Sequence, residues 1–527
     1  MIIFSMVQSS VSVRKRQVQC KHGKPIKQDQ TNKLSMRPRQ PLGLLFYFCG
    51  SSVVFMVFGI LLLGLWSVLY HAILRSQMVL KPNNKAFDIW VKNPVPLTLK
   101  FHIFNWTNPE DIHNATVKPR FVELGPYYYV ETKEKTNITW NANDTISFKH
   151  LKTWWYDQSR SNGSLSDPFT TINPISLSAA YTARYWNYVV KRGLSFSLQS
   201  MVQSISVTHS VGETLFDGYE DSLMAVAAKL PFLSKNNLPF SDKFGWFYGR
   251  NGSEDYEGVY NMNTGVDGRL GELNSWRNMN QSTYYPGKCG VINGGSAGEF
   301  FPTDLKKDEV VRFFSSDMCR YLELEFEEEV IIGGLVGYKY SAGERFLDNG
   351  TNIPENKCYC DGNCMPSGAL NVSLCKHGSP AFISLPHFYK ADPYYINSVD
   401  GLNPSKEKSE FFMIFEPNTG IPLQVSVKLQ LNLRLEPVDG ITLYSEVPTI
   451  YLPVLHFEQA VIIPENMLFL LKLLVNFKVI CYAVGILCVV LGSIICLCIS
   501  YKISSSKFFK KRKQNKAIIQ EEMPLKQ

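Results

Sequence analysis

Gly294-Gly295-Ser296-Ala297-Gly298 fits the Gly-x-Ser-x-Gly turn on which α/β-hydrolases present a serine nucleophile. Such an elbow needs a helix directly after the serine, so that the hydroxyl stands exposed beside backbone N–H donors. Pro302 interrupts that start, because proline inside a helix removes a hydrogen bond and clashes with the preceding turn. The chain holds 35 glycines, so the pattern also arises by chance. No His-Glu-x-x-His zinc motif, phosphate-binding loop or dinucleotide fingerprint occurs. No catalytic residue, metal ligand or cofactor is assigned, and an enzyme is not expected.

The remaining reactive side chains are cysteines. Six of the 12 cluster in the middle of the chain: Cys289, Cys319, Cys358, Cys360, Cys364 and Cys375. An even, clustered set reads as disulfides in an oxidising compartment, with the pairing left open by sequence. The competing reading is a zinc site on Cys358-x-Cys360-x3-Cys364, which that compartment disfavours. Asn-x-Ser/Thr acceptor sites point the same way. They stand at Asn105, Asn114, Asn137, Asn143, Asn162, Asn251, Asn280, Asn349 and Asn371, all in the central block and none in either tail. Confinement of that kind makes the middle of the chain luminal or extracellular.

These groups must be held by elements that reach a membrane. Leu42 to Leu74 and Val479 to Ser500 contain no Lys, Arg, Asp or Glu. A helix needs ~20 apolar residues to cross the ~30 Å hydrocarbon layer, and both runs suffice. The first follows 41 polar residues and is far longer than a signal-peptide core, so it reads as an uncleaved anchor. The expected organisation is residues 1–41 as a cytoplasmic tail, 42–74 and 479–500 as membrane helices, 75–478 as an ectodomain and 501–527 as a second cytoplasmic tail. Residues 1–41 carry nine Lys or Arg against Asp29, and residues 501–527 carry eight against Glu521 and Glu522, which supports a cytosolic end at the second helix. At the first, Arg75, Lys81, Lys85 and Lys92 nearly balance the tail, and the confinement of the acceptor sites decides. The tails together thus carry +14 and the central block −6, which sum to the formal net charge of +8, and no nucleic-acid partner is expected.

Within the central block, short apolar runs broken by Gly, Pro and Asn read as strands. Strict alternation puts Leu423, Val425, Val427, Leu429, Leu431 and Leu433 on one face of a half-buried strand. Leu177 to Trp186 and the stretch after it read as helical, with Lys191 and Arg192 before Gly193 as a helix end. Met467 to Phe477 is apolar except for Lys472 and Asn476, which share one face of an amphipathic lead-in at the membrane surface. Cys496 and Cys498, at the cytosolic end of the second helix, fit either reversible palmitoylation or plain apolar filler. The run Lys507-Phe508-Phe509-Lys510-Lys511-Arg512-Lys513 serves as stop-transfer charge or as an anionic-lipid site.

The chain resembles the class B scavenger receptors, a family that includes the fatty-acid translocase, the lysosomal integral membrane receptors and the insect sensory neuron membrane proteins. The matching segments run from Asn105-Trp106-Thr107-Asn108-Pro109-Glu110 and Glu123-Leu124-Gly125-Pro126-Tyr127 through Asp217-Gly218-Tyr219-Glu220-Asp221 and Phe244-Gly245-Trp246-Phe247. They continue with Ile292-Asn293-Gly294, Phe314 to Arg320, Ser384-Leu385-Pro386-His387-Phe388, Asp400 to Pro404 and Glu416-Pro417-Asn418-Thr419-Gly420. The resemblance implies an α+β fold: an antiparallel β-barrel ectodomain with an apical helical bundle and an internal apolar tunnel, anchored by two transmembrane helices. It also implies the disulfides Cys289–Cys358, Cys319–Cys375 and Cys360–Cys364.

The function expected from it is a cell-membrane receptor for lipids or lipoproteins that passes apolar lipid to the bilayer without chemical turnover. Lys191 and Arg192 are candidates for attracting anionic ligands, against the alternative of a solvated surface pair. A second expectation is an endolysosomal receptor that binds a protein ligand through the apical helices. The Cys360 to Cys364 spacing is shorter than in the mammalian receptors, and the N-terminal tail is longer.

Overall fold

The structure, a computed structural model, describes residues 42–82, 85–93, 97–202, 204–227, 242–360, 362 and 364–521. The basic segment 1–41 lies outside these residues, as do the last six positions of the chain. The chain divides into two compact units: one runs from Met78 to Leu468, and the other holds the long helices before and after it.

The first unit is built on one large antiparallel sheet. Its strands include β1 (Leu97–Trp106), β2 (Phe121–Trp140) and β3 (Thr145–Tyr156). A separate ribbon pairs β4 (Pro168–Ile172) with β5 (Ser206–Ser210). The large sheet continues with β6 (Tyr260–Asn263), β7 (Leu273–Trp276), β8 (Val311–Ser315), β9 (Arg320–Ile332) and β10 (Leu335–Ser341). The last members are β11 (Ala369–Asn371), β12 (Ala381–Ser384), β13 (Phe412–Phe415), β14 (Pro422–Leu435) and β15 (Ile450–Ile462). Hydrogen-bonded neighbours run β7-β6-β3-β2-β1-β15-β14-β13-β10-β9-β8, with β11 and β12 branching from β14.

The two edges of that path, β7 and β8, meet through the segment that mimics a nucleophile elbow. On one side Leu273 N donates to Gly295 O at 2.8 Å and Ala297 N to Gly271 O at 2.9 Å. On the other, Ser296 N donates to Arg312 O at 3.0 Å and Phe314 N to Ser296 O at 2.9 Å. Gly294 to Ala297 is therefore an extended connecting segment, bridged through Ser296 to both edges, that leaves the barrel nearly closed, and closure removes exposed sheet edges. Gly295 is required there, because a Cβ would stand 2.5 Å from the Tyr321 ring.

Alternation in β14 describes only half of the strand. Leu423, Leu429 and Leu433 are buried, but so are Ser426, Lys428, Gln430 and Asn432 on the opposite face. Both faces are covered, and the polar one is satisfied internally. Gln430 Nε2 donates to Asn432 Oδ1 at 2.7 Å, Asn432 Nδ2 to Ser384 Oγ at 3.0 Å, and Lys428 Nζ to Glu407 O at 2.7 Å. Buried polar groups persist only when they are paired in this way. Next to β14, Phe457 packs near Phe101, which contacts Tyr129 and Phe247, and Phe216 completes an aromatic cluster with Trp154.

A helix pair carries the segment between β4 and β5. Asn173 caps the Pro174–Ala183 helix by accepting from Ile175 N and Ser176 N at 3.0 and 3.1 Å. Asn187 caps Tyr188–Met201 through Val190 N at 3.0 Å. That helix does not end at Gly193, as the sequence suggested. Burial of Ser195 and Leu198 carries it onward and outweighs the cost of glycine, ~1 kcal/mol against alanine.

The second unit holds two helices long and apolar enough to cross a membrane, Tyr47–Leu74 and Phe477–Phe509. They pack against each other through small residues: a Cβ on Gly59 would stand 2.7 Å from Gly485 O, and Ser52 Oγ donates to Gly492 O at 2.9 Å. The second helix continues past Ser500 to Glu521, because the basic tail is made of good helix formers. A separate helix, Glu465–Val475, precedes it, with the break at Asn476.

Candidate functional site

Ser296 is buried, and its hydroxyl is occupied. The Oγ donates to Phe300 O at 2.5 Å and accepts from Gly298 N at 2.9 Å, which ties the turn after the closing segment. A serine in that setting is a structural hydroxyl.

Two clusters of titratable groups lie elsewhere. In the first, Glu123 of β2 gathers three imidazoles: His102 Nδ1 at 2.5 Å, His387 Nε2 at 3.3 Å and His456 Nε2 at 3.3 Å. Antiparallel register brings His102 of β1 directly opposite His456 of β15. Burial alone would raise the Glu123 carboxyl, but the three hydrogen bonds outweigh it and hold the group well below the usual range. Burial pushes His456 down to about 4. His102, Glu123 and His456 offer ligand atoms within 4.8 Å of one another, close enough to meet at one metal ion. The rings of His102 and His456 are stacked, 4.4 Å apart and 9° from parallel. Their in-plane lone pairs then lie in two separate, nearly parallel planes, and one ion cannot lie in both. A hydrogen-bonded hub fits this geometry better than a metal centre.

The second cluster is buried and ionic. Lys133 and Lys135 of β2 approach Glu299 at 2.8 and 2.7 Å, while His150 and Lys152 of β3 approach Glu257 at 2.8 and 2.5 Å. Arg250 pairs with Asp317 at 2.7 Å. Burial lowers Lys135 to about 8 against the pull of Glu299, and burial together with Lys133 lowers His150 to about 4. Lys135, His150, Arg250 and Glu257 are buried, and unpairing one of them would leave an uncompensated buried charge, so this network belongs to the scaffold.

The helix pair is different, because it exposes apolar side chains. Tyr185 is 80% exposed, Tyr188 68%, Val189 79% and Phe196 72%. An exposed patch of this kind marks an interaction surface. Both basic candidates lie on the same helix. Lys191 Nζ donates to Arg184 O at 3.1 Å, and Arg192 reaches Thr442 Oγ1 at 3.4 Å. Arg184 stacks on Tyr181 and Tyr185, 3.5 and 4.4 Å from their ring centres. Sequence reasoning found the helices, with a broad apolar face, and the two cations, but not that Tyr185, Tyr188, Val189 and Phe196 stay uncovered, which depends on the rest of the fold.

The six central cysteines are joined as Cys289–Cys358, Cys319–Cys375 and Cys360–Cys364. Cys496 and Cys498 are exposed thiols of the second long helix. Among the glycan acceptors, Asn114, Asn137, Asn143, Asn162, Asn251 and Asn280 are exposed, whereas Asn105 and Asn371 are half-buried. Asn349 is buried, and its Nδ2, the atom a glycan would occupy, donates to Met365 O at 2.9 Å.

A nearly closed antiparallel barrel, flanked in the chain by two helices long and apolar enough to cross a membrane, defines a membrane-anchored ectodomain protein. The chain belongs to the CD36 family, which matches residues 50–503. It is 38% identical to Protein peste of Drosophila melanogaster over 77% of this chain and 73% of that one. It is 32% identical to scavenger receptor class B member 1 of Bos taurus over 89% and 92%, and 32% identical to lysosome membrane protein 2 of Homo sapiens over 76% and 82%.

Proposed function

We propose that this protein binds lipid or lipoprotein ligands on the exposed face of its helix pair and passes apolar lipid, through the barrel unit, to the membrane. The observation that carries this reading is the apolar face of Tyr185, Tyr188, Val189 and Phe196 in a scavenger-receptor relative. Burial of each CH2 is worth ~0.8 kcal/mol, so a sixteen-carbon chain gains on the order of 10 kcal/mol by leaving water. A protected route through an internal apolar tunnel avoids returning that chain to water. Lys191 and Arg192 border the face and would attract anionic ligands at first encounter. In this reading both tails are cytoplasmic, the barrel unit is glycosylated outside the cytosol, and Cys496 and Cys498 are palmitoylated.

The test is ligand binding and lipid uptake by cells displaying Tyr188→Asp with Phe196→Asp. Both should fall at least tenfold while the amount at the membrane is unchanged. Undiminished binding would remove the helix face from the mechanism. Similarity to lysosome membrane protein 2 favours a second reading, a protein cargo on the same face in endolysosomes. Co-staining of the protein with lysosomal and surface markers separates the two.

A further inference from the structure

The β9–β10 hairpin ends in Val330-Ile331-Ile332-Gly333-Gly334-Leu335-Val336-Gly337, eight residues without a charge. Gly333 and Gly334, both at positive φ, make the tight turn, and Ile331 pairs with Val336 across it. These two side chains are 76% and 51% exposed. Isoleucine and valine at the tip of an exposed hairpin are unusual unless something covers them.

Register fixes which end of the sheet this is. Tyr338 of β10 pairs with Phe415 of β13, Phe415 with Pro422 of β14, and Gln424 of β14 with Ile462, the last residue of β15. At the same end, Thr98 near the start of β1 pairs with Ala460. The Ile331–Val336 pair stands two residues beyond Tyr338, or about 7 Å further out. Ile462 is itself 63% exposed, and the chain from Val461 to Pro464 is uncharged. Gly333 abuts the Leu468 side chain, and a Cβ there would collide with it. From Leu468 the chain reaches Phe477, the first residue of the second membrane helix, in nine residues. The acidic residues just before the tip are already paired: Glu329 with Lys307 at 2.9 Å, and Glu327 with Lys339 at 3.0 Å.

We propose that the tip of the β9–β10 hairpin, Ile331 to Val336, docks into the interfacial layer of the bilayer that the two helices cross, as a further membrane contact. The occupant is lipid. The tip is apolar and uncharged, it shares its end of the sheet with the strand that leads to a membrane helix, and it packs on a residue of that connection. Its neighbouring acids are neutralised, so docking needs no anionic headgroup. Such a contact would hold this end of the barrel at the lipid surface, where an apolar ligand must leave.

The experiment places a fluorescent noncanonical amino acid at Ile331, at Val336 or at Ile462 in the full chain. Val122 is the control, because it is 48% exposed and pairs with Asn105 at the other end of β1. Each variant is reconstituted in phosphatidylcholine vesicles whose acyl chains are brominated. Emission at the three tip positions should be quenched at least twofold relative to unbrominated vesicles, with no change at Val122. Adding phosphatidylserine should leave the quenching unaltered. If position 331 does not tolerate the probe, Ile462 decides the outcome. Equal emission in brominated and plain vesicles would overturn the proposal. Protection that depends on protein concentration in detergent would overturn it too, and would assign the tip to a second copy of the chain.

Discussion

Two buried histidines should make the barrel unit sensitive to mild acid. His150 and His456 are each pushed down to about 4 from an ordinary 6.5, mainly by burial. The nitrogens that would take the extra proton, Nε2 of His150 and Nδ1 of His456, have no hydrogen-bond partner among the described residues. His150 Nε2 is 3.9 Å from Glu299, beyond hydrogen-bonding reach. Between pH 6.5 and 4 the unfolded chain therefore binds protons that the folded chain refuses. Stability is fully present above the unfolded value and is lost as pH falls towards the folded one. From pH 7 to pH 5, linkage gives a loss of about 2 kcal/mol per histidine. With an unfolding entropy of about 2 cal/mol/K per residue over roughly 400 residues, each histidine lowers the midpoint by about 2–3 °C.

The perturbation is His150→Asn with His456→Gln. Asn retains a donor where Nδ1 faces Glu257, and Gln retains one where Nε2 faces Glu123. Thermal unfolding of the full chain at pH 7 and pH 5 should show the double variant losing about 4–5 °C less than the parent. An identical drop in both proteins would refute the reasoning, since it would mean that these imidazoles titrate alike in the folded and unfolded chain.

Ser296→Ala removes two hydrogen bonds of a buried turn and should cost about 1–3 kcal/mol, measured as a lower unfolding midpoint. Lipid uptake per molecule should persist, and its loss at full expression would revive a nucleophilic role. Cys319→Ser with Cys375→Ser opens a loop spanning 56 residues, worth about 4 kcal/mol in the chain-entropy account. Retention in the secretory pathway and early thermal unfolding are the expected readouts. Asn→Gln at Asn114, Asn162 or Asn280 should each lower the glycosylated mass, whereas Asn349→Gln should leave it unchanged, because that side chain faces Met365. Lys191→Glu with Arg192→Glu should weaken binding of anionic lipid vesicles and flatten its salt dependence.

The parts legible in the sequence are those set by local composition. Charge-free runs of membrane-spanning length marked the two long helices, since the cost of burying a charge in hydrocarbon is written residue by residue. The family motifs carried the barrel and the cysteine pairs. Periodicity located β14 and its apolar face but not the cover on the other side, because alternation reports one face and Ser426, Lys428, Gln430 and Asn432 are covered by other parts of the chain. Gly193 misled for a related reason: a local stop signal yields when Ser195 and Leu198 are buried.

What only the tertiary structure decided are relations between distant positions. The Gly-x-Ser-x-Gly pattern is the same string whether it turns into a helix or bridges two strands. Hydrogen bonds to Gly271, Leu273, Arg312 and Phe314 make it the extended segment that joins the barrel edges. Glu123, His102, His387 and His456 are scattered over more than 350 positions, and strand register brings them to one carboxylate. Sequence determined where the chain meets lipid and which residues are apolar, because those are properties of single segments. Which apolar residues remain uncovered, on the helix pair and at the hairpin tip, is a property of what the rest of the fold leaves without a partner.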